Sequence, residues 1–290
     1  MEKHFLATIS SEADHLFGVR FICSFFNRLS ENRVTLLHIC GINSKTKALT
    51  SIWESPRDNN SALVSPEVNT SILKAQRLLS DQKVPVNKVL IKTVPEKYGK
   101  VKDILIESER GLYDAIVLGR RVSYTLQWMF DRAVDETSQA MLKEHSCVSP
   151  LWICPDADPG RKNVLLCIDG TENGYRAVDH VGFMISSQNQ HKITLLHVEN
   201  SVGTECVEYF RRAESILLGH KIAAKHIIPK VVWDSSISGA ILSEIKKGNF
   251  AVVALGMGGQ NQGKGSGRIV GKTTVKLISK LEKTSLWCCP

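Results

Sequence analysis

The chain contains the same pattern twice, and this internal repeat restricts the folds that are open to it. The segment RVTLLHI at 33–39 recurs as KITLLHV at 192–198, an offset of 159 residues. Three more pairs follow in the same order: FLATIS (5–10) with VLLCID (164–169), DAIVLG (114–119) with FAVVALG (250–256), and SPLWICP (149–155) with TSLWCCP (284–290). The repeat predicts two tandem domains of similar fold.

Within each copy, apolar strand-like runs alternate with helical patterns. Strands are predicted near 4–10, 33–40, 86–93, 114–119 and 150–154, and again near 164–169, 192–198, 226–232, 250–255 and 285–289. Helices are predicted near 14–29, 66–80, 98–110 and 132–145, and again near 173–187, 204–220, 236–248 and 271–282. Alternating strands and helices with apolar strands are typical of a parallel sheet covered on both faces. The predicted fold class is therefore α/β, with two tandem doubly wound, five-stranded parallel-sheet domains of the Rossmann-like type.

A turn-rich stretch, PDADPG at 155–160, separates the two copies. We predict a first domain at 1–157 and a second at 158–290. Composition fits two globular domains, because 43% of the residues are hydrophobic and 23% are charged.

Several broad classes of protein are disfavoured. No apolar run approaches the roughly 20 residues that span a bilayer, and the N-terminus lacks the pattern of a secretory signal. The eight cysteines form no C-x-x-C pair and lie mostly in apolar runs, which argues against a disulfide framework and a zinc site. His38 and His197 align within strands, and they are interpreted as core histidines. We expect a cytoplasmic protein without a membrane partner.

The net charge of +8 is concentrated in the second copy. Residues 1–159 hold 20 Lys and Arg against 19 Asp and Glu, whereas residues 160–290 hold 17 against 10. The excess indicates either a basic solvated face or attraction to a polyanion, a nucleotide or a nucleic acid. Because no basic stripe is interleaved with aromatic residues, the pattern argues against nucleic acid.

The second copy carries a glycine-rich loop between a buried strand and a helix. Phe250–Leu255 is an apolar run, and the helical pattern begins at Gly271 with Lys272 and Thr273 in its first turn. Between them stand Gly256, Gly258, Gly259, Gly263, Gly265 and Gly267. Such a loop is either a phosphate cradle or a plain flexible connector. The spacing argues against a P-loop, because serine stands five positions before Gly271.

A carboxylate follows the first strand of the second copy, in the stretch Asp169-Gly170-Thr171-Glu172. Ligands of doubly wound sheets bind at the carboxyl ends of strands, where strand order reverses. If the first and fourth strands are neighbours, Asp169 and Gly256 flank one crevice. The alternative is a plain turn into a helix, with Thr171 or Asn173 as the cap.

The repeated unit resembles the universal stress protein domain over nearly the whole chain. The matching motifs are a first strand ending in D-G-[ST], a second strand reading LLHV, a fourth strand leading into G-x-x-G and then G-[ST], and a final strand near P-L-W. Members of that family divide into ATP binders and proteins that do not bind ATP. Binders hold adenine near the first-strand aspartate and the residue after the second-strand histidine, and they hold phosphates with a G-x-x-G-x9-G-[ST] loop.

The resemblance implies a site in the second copy for ATP or another adenine nucleotide, with Mg²⁺ as its companion. The matching positions are Asp169, Val198, Gly256, Gly259, Gly271 and Thr273. Two departures stand out: eleven residues rather than nine separate Gly259 from Gly271, and Lys272 replaces a small hydroxyl residue. A lysine at a helix start is unfavourable unless an anion lies there, so Lys272 is included in the site. Lys264 and Arg268 could add charge.

The first copy lacks these features. Ser10 replaces the aspartate, Val122 replaces the second glycine, and no glycine follows in the loop. We predict that this copy does not bind ATP in the same manner. Its apolar triplet Trp128, Met129 and Phe130 either packs onto its own domain or docks another surface.

The resemblance implies a stress-response protein without dedicated catalysis. No general base is evident near the loop, so at most weak ATP hydrolysis is expected. The alternative is a nucleotide-independent interaction module with both sites vestigial. The two domains are expected to mimic the family's homodimer, with the strands at 150–154 and 285–289 as the meeting edges, and two chains to associate further.

Overall fold

The computed structural model describes residues 1–41, 64–120, 149–186, 188–199, 206–258 and 271–290. The predicted helix at 132–145 lies outside these ranges. The same holds for Val122, Trp128, Met129, Phe130, Gly259, Lys264 and Arg268.

Each half contains five strands in the predicted places. The first half holds β1 (His4–Thr8), β2 (Arg33–Cys40), β3 (Val89–Pro95), β4 (Ala115–Gly119) and β5 (Leu151–Cys154). The second holds β6 (Asn163–Cys167), β7 (Ile193–Glu199), β8 (Ile227–Trp233), β9 (Phe250–Gly256) and β10 (Ser285–Cys289).

Helices connect these strands. They are α1 (Phe17–Phe25), α2 (Pro66–Asp81), α3 (Lys100–Gly111), α4 (Glu172–Ile185), α5 (Cys206–Gly219), α6 (Ile237–Lys247) and α7 (Lys272–Lys280). Within the described ranges, none of them has the length and apolarity needed to cross a membrane.

The strands form one ten-stranded sheet in the order β3-β2-β1-β4-β5-β10-β9-β6-β7-β8. All pairs within a half are parallel, whereas β5 and β10 pair antiparallel through Trp152 and Trp287. The predicted α/β class with parallel five-stranded units is confirmed. So is the prediction that the two final strands meet, which makes the halves an intramolecular pair.

Two apolar clusters cover the faces of the sheet, and each draws residues from both halves. One packs beneath α1, α2, α4 and α5. The other packs beneath α3, α6 and α7. Since β5 and β10 bury every side chain, the core runs unbroken through the junction.

The first helix is shorter than the pattern at 14–29 suggests. A 3-10 turn at Ala13–His15 precedes α1, which ends at Phe25 because Phe26 is extended (φ −95°, ψ 118°). The backbone N–H of Asn27 then donates to Gln188 Oε1 of the second half, at 3.1 Å. A contact across the junction therefore replaces the last turn of the predicted helix.

Two lysines occupy the left-handed backbone region at equivalent helix ends, Lys83 after α2 (φ 58°) and Lys221 after α5 (φ 64°). In each case paired backbone bonds close a Schellman motif, as in Lys83 N–H to Ser80 O and Val84 N–H to Leu79 O. We expect Lys83→Gly and Lys221→Gly each to raise the free energy of unfolding by about 0.5–1 kcal/mol, because glycine avoids the Cβ clash. Urea titration checks this. Alanine variants remove the same charge but keep Cβ, so equal gains from alanine would contradict it.

Candidate functional site

The order of strands reverses between β6 and β9 of the second half. These strands are parallel neighbours, with Leu166 opposite Ala254, while β7 and β8 continue on one side and β10 on the other. Asp169 lies just beyond the carboxyl end of β6, and Gly256 closes β9. These two residues thus lie at the edge where doubly wound sheets bind ligands.

The first turn of α4 lies between these two residues. A Cβ added to Gly256 would lie 2.3 Å from the carbonyl carbon of Asn173. One added to Gly174 would lie 2.8 Å from Asp169 Oδ1. Asn173 Nδ2 also donates to the carbonyl of Met257, at 2.5 Å. Glycine is therefore required for the close approach, and Asn173 fixes the start of the glycine loop.

Asp169 also organises the turn into α4. Its Oδ1 accepts hydrogen bonds from the Thr171 backbone N–H (3.1 Å) and the Thr171 hydroxyl (2.6 Å). The Thr171 oxygen in turn accepts from Gly174 N–H (3.1 Å), so Thr171 is the helix cap. Gly170 has φ +77°, which glycine adopts readily. Because a carboxylate has about four acceptor sites, this capping turn is compatible with a further contact to a ligand.

The next strand brings Val198 to the same edge. Ile168, the residue before Asp169, donates its N–H to Leu196 O (2.9 Å) and accepts from His197 Nδ1 (2.9 Å). Val198 follows in β7, is half-buried and pairs with Val232 of β8. The equivalent His38 likewise contacts Ile9 O, at 2.8 Å. Both histidines are thus satisfied by backbone.

Tyr209 of α5 lies over the turn that follows β6. A Cβ at Gly170 would lie 2.5 Å from its ring, and the ring centroid is 5.4 Å from that of His197. Sequence reasoning did not identify Tyr209 or the anchoring role of Asn173. No local motif marks either residue, since both roles depend on which helices the fold brings to this edge.

The start of α7 supplies the remaining predicted residues. Because α7 connects two parallel strands, β9 and β10, its N-terminus returns to the carboxyl edge. Gly271 is its N-cap without a side-chain hydrogen bond, and no acidic residue lies in the first turn. Lys272 is exposed and Thr273 is half-buried. The positive dipole end of α7 thus lacks the carboxylate that usually complements it, while the second loop glycine, Gly259, falls outside the described ranges.

Two charged side chains near the first turn of α4, Arg212 and Glu172, form an ion pair. Arg212 binds Glu172 through two bonds of 2.7 and 2.9 Å and lies 3.9 Å above the Tyr175 ring. The hydrogen bond from Arg212 lowers the pKa of Glu172. Burial raises the pKa of Cys167 to about 12, with Asp169 adding to the effect, so this thiol is no nucleophile at neutral pH.

Metal coordination by protein side chains finds no support in the described ranges, where no group of three or more His, Cys, Asp or Glu residues is arranged to hold an ion.

The corresponding edge of the first half is built differently. Ser10 is exposed, and its hydroxyl oxygen accepts a hydrogen bond from the Glu12 N–H (3.3 Å). A Cβ at Gly119 would lie 3.3 Å from both Gly18 N and His15 O. The next residue, Arg120, is buried and directs its guanidinium to backbone carbonyls of α7 in the second half. The residue that follows β4 thus binds a helix of the other half.

Comparison with solved structures identifies this fold. A universal stress protein from Archaeoglobus fulgidus DSM 4304 matches 99% of this chain and 97% of its own, with 15% identity and a TM-score of 0.62. A candidate universal stress protein from Pseudomonas aeruginosa UCBPP-PA14 matches 99% of this chain and 93% of its own, with 15% identity and a TM-score of 0.59. The chain therefore has the fold of these full-length proteins.

Other comparisons add no functional residue. A universal stress protein solved in complex with cAMP matches 45% of this chain and 97% of its own, with 17% identity and a TM-score of 0.37. That value is too low to carry an inference about ligands here. No protein-family model and no curated protein sequence matches the chain.

Proposed function

We propose that this chain, which has the fold of tandem universal stress proteins, is a stress-response protein of that type that binds an adenine nucleotide in its second half. ATP is the first candidate, with Mg²⁺ as its companion. The observation that carries the proposal is the placement of Asp169, Val198 and Gly256 at one switch-point edge. There, the N-terminus of α7 has a lysine but no acidic cap.

Each residue has a distinct role in the proposal. Asp169 and the backbone near Val198 hold the base, since both lie at the ends of neighbouring strands. Gly256 and Gly259 allow the loop backbone to approach the phosphates. Gly271, Lys272 and Thr273 offer amide donors and a positive charge at a helix N-terminus, an arrangement that favours anions.

The first half acts as a structural partner in this proposal. We place the boundary at 157/158, so that residues 1–157 form a domain without a nucleotide site. Ser10 in place of a carboxylate and the diversion of Arg120 into the junction support this assignment. Nothing in the proposal requires catalysis beyond weak hydrolysis of ATP.

Isothermal titration with ATP and Mg²⁺ tests the proposal, and α7 provides a matched pair of variants. Lys272 lies in the first turn and Lys276 one turn later, and both are exposed. We expect Lys272→Gln to weaken ATP binding roughly tenfold, through loss of a charge-assisted phosphate contact, and Lys276→Gln to leave binding unchanged. Gly259→Val should abolish binding, because a branched side chain blocks close backbone approach.

Two results would overturn the proposal. One is the absence of binding by the wild-type chain to ATP, ADP, AMP and cAMP, which would favour a nucleotide-independent interaction module. The other is binding that Lys272→Gln and Lys276→Gln weaken equally, which would indicate general attraction to a basic surface. Phosphate release far above background and abolished by Asp169→Ala would instead indicate an enzyme.

We further propose a cytoplasmic location and association of two chains. The seven described cysteines form no disulfide with one another, and Cys154, Cys288 and Cys289 are fully buried at the junction, which suits a reducing compartment. Light scattering of the purified chain decides its oligomeric state.

A further inference from the structure

Arg120 belongs to the first half but binds a helix of the second. It is 6% exposed, and its Nη1 donates to the carbonyls of Ile278 and, at 3.2 Å, of Leu281. Leu281 is the C-cap of α7 (Lys272–Lys280). A cation at this position satisfies the last carbonyls and complements the negative dipole end.

The position of Arg120 in the first half corresponds to the start of the glycine loop in the second. Arg120 N–H donates to Cys154 O at 2.7 Å, and Met257 N–H donates to Cys289 O at 2.6 Å. Both residues therefore follow the fourth strand of their half and bond to its fifth. In the second half this backbone position leads into the glycine-rich loop. In the first half it carries Arg120, whose guanidinium reaches across the junction.

The helix that Arg120 contacts, α7, is only weakly stabilised by its own residues. Nine residues span about 13 Å, and isolated helices of this length are marginal in water. The N-terminus has no side-chain cap, and Lys272 opposes the dipole there. The buried residues of α7 are Thr274, Leu277 and Ile278, of which two lie in its C-terminal half.

We infer that Arg120 is a positioning residue for the candidate nucleotide site: it holds the C-terminal end of α7 so that the amides at Gly271–Thr273 stay aligned at the other end. This inference rests on the proposed function. It assigns the first half a role beyond packing, because a residue of the half without a site fixes the helix that carries the phosphate-facing amides of the other.

Lys162 provides a matched control on the same junction. It belongs to the second half, and its Nζ donates to the carbonyl of Ser24 near the end of α1. Lys162→Met therefore removes a cross-junction cation from a helix C-terminus without touching α7. Arg120→Gln removes the charge on α7, and Arg120→Lys retains a charge with a different donor geometry.

Hydrogen exchange of the full chain without nucleotide gives the first readout. Arg120→Gln should speed exchange of the amides at 275–277, which bond to the carbonyls of residues 271–273 in the i→i−4 pattern of α7, roughly tenfold, a local opening below global unfolding. Lys162→Met should leave them unchanged. ATP titration gives the second readout: Kd should rise roughly tenfold for Arg120→Gln, less for Arg120→Lys, and not at all for Lys162→Met.

The outcomes separate this inference from the proposed function. If Arg120→Gln lowers Tm but leaves both the exchange at 275–277 and Kd at wild-type values, Arg120 is only a structural cap and the inference is overturned. If the wild-type chain binds no adenine nucleotide, the proposed function fails, and the exchange data alone test whether Arg120 positions α7. Faster exchange in Arg120→Gln but not in Lys162→Met would then still support a positioning role, and equal exchange would overturn it.

Discussion

Trp152→Phe is expected to lower the free energy of unfolding by about 2 kcal/mol more than Trp287→Phe does. The two indoles stack at the centre of the junction, with centroids 3.8 Å apart and planes 1° apart, and neither is exposed. Trp152 Nε1 donates to His180 Nε2 at 3.0 Å. Trp287 Nε1 is buried and finds no acceptor among the described residues. Trp152→Phe therefore leaves His180 Nε2 without its hydrogen-bond donor. Trp287→Phe instead removes a buried N–H that had no acceptor among the described residues.

The cause of this asymmetry is a difference between the repeats. Phe21 occupies the α1 position that corresponds to His180 of α4, since the offset is 159. Its ring meets Trp287 edge-on, with centroids 6.3 Å apart, but offers no nitrogen. Each indole loses its stacking on the other in either variant, while the remaining aromatic contacts differ: Trp152 also stacks on Phe26, and Trp287 meets Phe25 edge-on.

Urea unfolding of the two variants measures the difference, with Phe21→His as a further check. That substitution gives Trp287 an acceptor, so Trp287→Phe should become more costly in its presence. Equal destabilisation by Trp152→Phe and Trp287→Phe would mean that the hydrogen bond to His180 adds nothing.

The strands of each half could be predicted from their apolar runs, whereas the position of the first strand beside the fourth was only a condition of the predicted site until the sheet order was known. The meeting of the final strands, which carry Trp152 and Trp287, was expected from the resemblance to a family whose members form homodimers, and the structure bears it out. The helix ends were less predictable. Phe26 continues the apolar pattern of α1 but is extended, because the chain beyond it bonds to Gln188 across the junction.

The turn that follows β6 was predictable because one short motif sufficed. D-G-T placed Asp169 beside Gly256 once the strands were neighbours, and Thr171 proved to be the cap. Asn173, Tyr209 and Arg120 escaped notice because their roles depend on contacts between distant segments. Arg120, for example, lies 158 residues from Ile278 in the sequence. Such contacts produce no periodic pattern and no motif spacing in the sequence of either segment.

Two buried histidines beside the junction give the protein a predictable response to acid. Burial lowers the pKa of His180 to about 3 and that of His191 to about 4. Both are neutral acceptors at Nε2: His180 accepts from Trp152, and His191 lies 2.9 Å from Gln190 Nε2 while its Nδ1 donates to Lys162 O at 2.6 Å. His191 also stacks on Phe25 of the first half, at 4.1 Å.

The free energy of unfolding is therefore expected to fall as the pH drops below about 6.5. In that range the unfolded chain binds a proton at each histidine and the folded chain does not, so stability rises with pH. Two such groups give a slope approaching about 2.7 kcal/mol per pH unit. Between pH 6.5 and 5, above the range in which most carboxylates titrate, the loss amounts to roughly 3–4 kcal/mol.

Urea titrations at pH 7, 6.5, 6, 5.5 and 5 measure this slope, and two variants assign it. His180→Gln keeps an acceptor for Trp152 but cannot take up a proton, so the slope should fall by about half. His191→Gln should remove much of the remainder, and the double variant should keep a smaller slope, to which His4 contributes because burial also lowers its pKa. Acid would then destabilise the junction between the halves, because His180 and His191 are neutral in the folded chain and protonation would oppose folding. A slope that His180→Gln leaves at its wild-type value would mean that His180 is already protonated in the folded chain or that water reaches it.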